Sequence, residues 1–187
     1  MLAIISFVLA GYLKKKARSN EAALKYVVYG GFSSGIMLFG LSYIFGLTGS
    51  TNIFEIQQAV SQLDPASSTA LTLAILMVLA GFGYKISAVP FHFWTPDVYE
   101  GAPTPVSMLF ASVPKIGVFI MLIKICFFIF YDIIFLWQFI CLICALLSIV
   151  IGTLATLNQY KIKRFLAYSS ISHVGFLLLG LSVGTIE

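Results

Sequence analysis

Charge is scarce in this sequence. Only 10% of its 187 residues are Asp, Glu, Lys or Arg, and just seven are acidic. A soluble domain of this length carries about a quarter charged residues to coat its surface, so a soluble enzyme is excluded. The net charge of +4 does not indicate nucleic acid as a partner, because the basic residues form no solvated face. Cysteine is also rare, with three residues. Cys141 and Cys144 have a CLIC spacing that on paper suits metal or redox work. They lie inside FICLICALLSIV with no His or third Cys close by, and read as small packing residues of a membrane helix. Gly-rich phosphate loops, nucleophile elbows, haem boxes and metal-ligand clusters are missing as well, so no metal site is expected. Met1 opens directly on an apolar run with no basic region ahead of it, so no cleavable signal pattern is read.

Apolar residues are abundant. They make up 60% of the chain, and the mean hydropathy is +1.02. These values describe an all-α, polytopic membrane helix bundle surrounded by lipid. A spanning helix needs roughly 20 apolar residues. Residues 22–47, 69–94, 105–131, 133–157 and 165–186 meet that length, whereas residues 1–13 are apolar but form only part of a helix. The expectation is one membrane domain over 1–187, with five full spans and a partial N-terminal one. Within the polar loop GSTNIFEIQQAVSQLDPASS, Asn52 to Leu63 has the spacing of an interfacial amphipathic helix.

Lysines and arginines set the orientation. If every expected span crosses once, one side holds Lys14, Lys15, Lys16, Arg18, Lys161, Lys163 and Arg164. The opposite loops, 48–68 and the turn at Asp132, hold no Lys or Arg. The basic side is therefore the cytoplasm or the mitochondrial matrix. Lys25 and Lys124 sit near helix ends and can snorkel.

Lys85 and Lys115 do not fit that explanation. Lys85 precedes Trp94 by nine residues, about 14 Å along a continuous helix. Lys115 follows Pro105 by ten, about 15 Å by the same rise. In a hydrocarbon core about 30 Å thick, both amines fall near the midplane. A charged lysine there costs about 3 kcal/mol on insertion scales and normally faces a bundle interior or a water-filled cavity. Each has a proline beside it. Pro90 and Pro114 lack an N–H, which frees the carbonyls of Ile86 and Phe110 and marks expected helix breaks. Lysine suits proton transfer, since desolvation favours its neutral form and a nearby carboxylate its charged form. All seven carboxylates (Glu21, Glu55, Asp64, Asp97, Glu100, Asp132, Glu187) fall in expected loops or at a terminus, so an acidic partner at that depth must come from elsewhere. His92, in PFHFW, reads as a structural hydrogen-bonding residue. His173 lies in AYSSISHVGF beside the hydroxyls of Tyr168, Ser169, Ser170 and Ser172. It reads either as a proton relay or as a structural hydrogen-bonding group.

The runs GFGYKISAVPFHFWTPDVYEGAPTPVSMLFASVPKIGVF, NEAALKYVVYGGFSSGIMLFGLSYIFGLTG and NQYKIKRFLAYSSISHVGFLLLGL closely resemble the chain 2 family of NADH–ubiquinone oxidoreductase (respiratory complex I), the subunit N family of bacteria. The sister antiporter-like subunits and Mrp-type sodium/proton antiporters carry looser versions. The resemblance implies an antiporter-like fold of inverted repeats with broken helices. It implies a proton-translocating membrane-arm subunit whose NADH, FMN, iron–sulfur clusters and ubiquinone are handled by other subunits. By it, Lys85 matches the lysine of the first broken helix, Lys115 the connecting lysine, and His173 the polar stretch linking two half-channels. The family's membrane glutamate would precede Met1, and its second broken helix would follow Glu187. The sequence therefore matches the central portion of such a subunit, as a split-gene product or as part of a longer chain. Its partners would be the remaining pieces of chain 2 and neighbouring antiporter-like subunits. The expected location is the mitochondrial inner membrane, or alternatively a bacterial plasma membrane. The rival readings are a scaffold without its own proton path and a free-standing cation/proton antiporter.

Overall fold

A computed structural model of the chain describes residues 2–63 and 68–184. Asp64 and Glu187 lie outside them. The helices are α1 (Leu2–Ala10), α2 (Ala17–Thr48), α3 (Ile53–Ser61), α4 (Ser68–Ile86), α5 (Trp94–Gly101), α6 (Thr104–Lys124), α7 (Ile134–Leu157) and α8 (Ile162–Val183). A π-helical turn (Ile125–Ile129) and a 3-10 turn (Tyr131–Ile133) join α6 to α7. There is no strand among the described residues. Five helices, α2, α4, α6, α7 and α8, are long and apolar enough to cross a membrane. The architecture is an all-α, polytopic bundle.

Two helix bounds differ from the hydropathy reading in ways that matter. α2 begins at Ala17, so Arg18 and Glu21 belong to a helix and not to a loop. α4 stops at Ile86, well short of residue 94. In the loop after α2, the Asn52 side chain accepts from Phe54 N–H at 3.1 Å and so caps α3. Ile56, Val60 and Leu63 turn toward the core at the spacing of an amphipathic helix.

Inner faces of α4, α6, α7 and α8 build the main core from Ile75, Phe82, Leu122, Trp137 and Leu178, together with Cys126 and Cys141. The Trp137 indole N–H donates to the Phe130 carbonyl at 3.0 Å, which satisfies the polar end of a fully buried ring. Lipid tails are as apolar as these side chains, so packing and hydrogen bonds hold such helices together more than the hydrophobic effect does. α7 and α8 approach closely where Gly152 faces the Ser172 backbone and Gly175 faces the Ala145 carbonyl. A second cluster of Ala10, Tyr84, Trp94, Val98, Tyr99, Phe110 and Ala167 surrounds α5.

Candidate functional site

The interruption between α4 and α5 organises the site. Ser87 has φ of +67°, the left-handed conformation usual for the residue that closes a helix. Ala88 N–H donates to the Gly83 carbonyl at 2.8 Å and Ser87 N–H to the Tyr84 carbonyl at 3.1 Å, the paired bonds of a Schellman stop. α4 therefore ends four residues before Pro90, and Pro90 only prevents its resumption. The buried Val89 N–H is taken by Ser148 Oγ of α7 at 2.9 Å. The chain then turns back. Trp94 donates its indole N–H to the Tyr84 carbonyl at 2.9 Å, and its ring stacks on Tyr26 of α2 at a centroid distance of 4.7 Å. The 14 Å rise counted from Lys85 to Trp94 thus does not exist as a straight helix.

Lys85 occupies the last turn of α4, where a cation suits the helix's negative end. It is half-buried and has no hydrogen-bond or ion-pair partner among the described residues. Two apolar cavities, about 260 and 180 Å³, flank the break and share Ala80, Pro90 and Phe91 in their walls.

Lys115 stands halfway along α6 and is 8% exposed. The break expected at Pro114 is not formed: α6 runs unbroken through Pro114 from Thr104 to Lys124. One missing N–H costs a single bond, and buried Phe110 and Leu122 on either side anchor the helix. Lys115 Nζ donates to Ser170 Oγ of α8 at 3.0 Å, and lies 5.9 Å from the Tyr99 ring centroid. Burial raises the Tyr99 phenol above its ordinary range, so it stays protonated. His173 lies one turn beyond Ser170 on α8. It is exposed and unpartnered among the described residues. The structure thus joins Lys115 to Ser170 and Tyr99, which sequence reasoning had not paired, and joins neither Lys85 nor His173 to them.

At the basic end, α5 is gripped by charge. Asp97 was expected to lie in a loop. Instead it accepts from Lys25 Nζ at 2.7 Å and from Arg164 Nη2 at 2.5 Å. Glu100 meets Arg164 Nε at 2.5 Å, Lys161 Nζ at 2.6 Å and Arg18 Nη1 at 3.3 Å. Both carboxylates belong to α5, and they face each other's partners because residues three apart share a helix face. Together they line a polar cleft of about 250 Å³. The Lys161 hydrogen bond first, and then Arg164, holds the Glu100 carboxyl below its ordinary range. Lys163 Nζ adds a bond to the Ala102 carbonyl at 2.7 Å. α2, α5 and α8 are tied together at this end. Among the described residues, no three His, Cys, Asp or Glu side chains gather as metal ligands.

The sequence profile of NADH:quinone oxidoreductase/Mrp antiporter transmembrane proteins matches residues 1–187. The chain belongs to that family. It is 47% identical to NADH-quinone oxidoreductase subunit N 2 of Chloroherpeton thalassium, over 98% of this chain and 37% of that one. It is 45% identical to NADH-ubiquinone oxidoreductase chain 2 of Marchantia polymorpha, over 97% of this chain and 37% of that one. Its fold matches a chain in the structure of respiratory complex I from Thermus thermophilus with bound aureothin, with a TM-score of 0.78 and 34% identity over 96% of this chain and 38% of that one. The chain thus spans little more than a third of the length of these relatives. Within the NADH:quinone oxidoreductase/Mrp antiporter family fold, Lys85 and Lys115 lie on consecutive spans, α4 and α6, on either side of the broken segment and its α5 cap.

Proposed function

We propose that this chain is the central portion of an antiporter-like, proton-translocating membrane subunit of respiratory complex I, in which Lys85 and Lys115 pass protons through the bundle. The observation that carries this reading is Lys115, an amine buried at mid-span with a hydroxyl and an aromatic face but no carboxylate partner among the described residues. A cation in such a place is expensive unless its proton comes and goes. Lys85, beside a helix break at the end of α4, is the second proton-handling group, and His173 on the exposed side of α8 is the link toward the part of the subunit that longer relatives carry. Pro90 keeps the break open. Acidic partners come from outside this chain.

On this reading, electrons, NADH and quinone are handled by other subunits, and the chain works only in the assembled membrane arm. Its partners are the rest of chain 2 and the neighbouring antiporter-like subunits. Its home is the mitochondrial inner membrane, or the plasma membrane if the source is bacterial. Lys85→Met is expected to lower NADH-driven proton uptake in proteoliposomes without changing assembly or NADH oxidation. Unchanged uptake at full assembly rejects the reading. Native-gel migration separates it from the antiporter alternative: a very large NADH-oxidising assembly supports complex I, a lone chain supports a free-standing antiporter.

A further inference from the structure

We propose that Ser170 and Tyr99 are positioning residues for Lys115, fixing its amine in one place, and that the charged grip on α5 keeps Tyr99 beside it. The inference rests on reading Lys115 as a proton-handling group. A lysine has a flexible four-carbon stem and three rotatable donors, whereas proton transfer needs the donor held within hydrogen-bond reach of its partner. Among the described residues the only acceptor given to Nζ is Ser170 Oγ, at 3.0 Å. Ser170 is itself held: its hydroxyl hydrogen goes to the Ala167 carbonyl at 2.8 Å. With that hydrogen committed, the oxygen lone pairs are what Ser170 presents to α6. The serine thus acts on Lys115 as an oriented acceptor that tolerates both the charged and the neutral amine.

Tyr99 closes the other side. Its ring face lies 5.9 Å from Nζ, a distance at which the aromatic quadrupole attracts a cation. The residue is 3% exposed, and its hydroxyl is buried without a hydrogen bond among the described residues. A buried, unpaired hydroxyl is costly and calls for a reason. Here it stands near Ser170, whose second lone pair it can donate to as the cluster rearranges. Tyr99 is held from both ends. Its carbonyl accepts from Ser107 Oγ at 2.9 Å. The flanking Asp97 and Glu100 are bound to Lys25 of α2, to Lys161 just ahead of α8 and to Arg164 within it. A change in those ion pairs therefore moves the wall of the Lys115 site.

The test uses the assembled NADH-oxidising complex in proteoliposomes. Ser170→Thr and Ser170→Val share a shape and differ only in the hydroxyl. Thr is expected to pump within about twofold of the parent and Val roughly tenfold more slowly, the loss set by one hydrogen bond to a charged group. Adding Ser170→Val to Lys115→Met is expected to change nothing further, because the serine acts through the lysine. Tyr99→Phe keeps the ring over Nζ and is expected to lose less than Tyr99→Leu. Equal pumping by the Thr and Val variants overturns the role of Ser170, as does an undiminished Val effect in the Lys115→Met background. Equal losses in Phe and Leu overturn that of Tyr99. Full pumping by Lys115→Met alone overturns the proton-handling reading and this inference with it.

Discussion

Asp97→Asn combined with Glu100→Gln is expected to release α5 and to destabilise the chain by on the order of 1–3 kcal/mol. The Glu100 side chain is only 14% exposed, while Arg18, Lys161 and Arg164 are 74%, 52% and 36% exposed. Solvent screens the cations, so the full penalty for breaking a buried pair does not apply. The shielded carboxylate nevertheless organises three cations from two segments, and its removal leaves their charges facing one another across the cleft. For a chain of this size the shift amounts to several degrees in melting temperature, measurable in detergent. The pH dependence has a definite sign. Glu100 has a folded-state pKa below its ordinary value. Its contribution is therefore fully present above the ordinary glutamate value of about 4.3 and is lost as pH falls from there through the folded value. The parent protein should lose melting temperature on acidification below about pH 4. The single variant Glu100→Gln should start lower and respond less to pH over the same interval. An identical acid response in both shows that the stabilisation lies elsewhere.

Much of the bundle is legible from hydropathy alone, because a spanning helix is specified by length and apolarity and needs no knowledge of its neighbours. The helix break is legible only in part. Pro90 signals it, but the stop is made by Ser87 in a left-handed conformation, and serine carries no such message in sequence. Asp97 and Glu100 read as loop residues because TPDVYEGAPT has a turn composition. They form a short helix because Trp94 docks on Tyr84, ten residues back, and on Tyr26, 68 residues back. Lys115 stands out as a charge in an apolar run, whereas its partner Ser170 is 55 residues away. Nothing distinguishes Ser170 from Ser169 or Ser172 along the chain. At 3.6 residues per turn those hydroxyls fan out around α8. Ser172 backs onto Gly152 of α7, Ser170 meets Lys115, and His173 is left exposed.

Gly152→Leu and Gly175→Leu are expected to give large structural losses. Even a methyl group at Gly152 stands 2.8 Å from Ser172 N and 3.0 Å from its Cα. At Gly175 it stands 2.9 Å from the Ala145 carbonyl oxygen and 3.0 Å from Ile149 N. These neighbours are backbone atoms of a facing helix, so no side-chain rotation relieves the clash and the helices must separate. Overpacking of this kind costs about 1–3 kcal/mol for small insertions, and leucine adds far more bulk than a methyl. Because α8 carries Ser170, the separation also withdraws the acceptor from Lys115, so pumping should fall along with assembly. The chain supplies its own control. Gly31 and Gly35 have nothing within 4 Å of an added Cβ. Alanine there removes a helix-weakening glycine at no steric cost, a gain of up to about 1 kcal/mol. Membrane-integrated yield and melting temperature should therefore drop in the Gly152 and Gly175 variants and hold or rise in Gly31→Ala and Gly35→Ala. Equal tolerance at all four positions contradicts the close approach of α7 and α8.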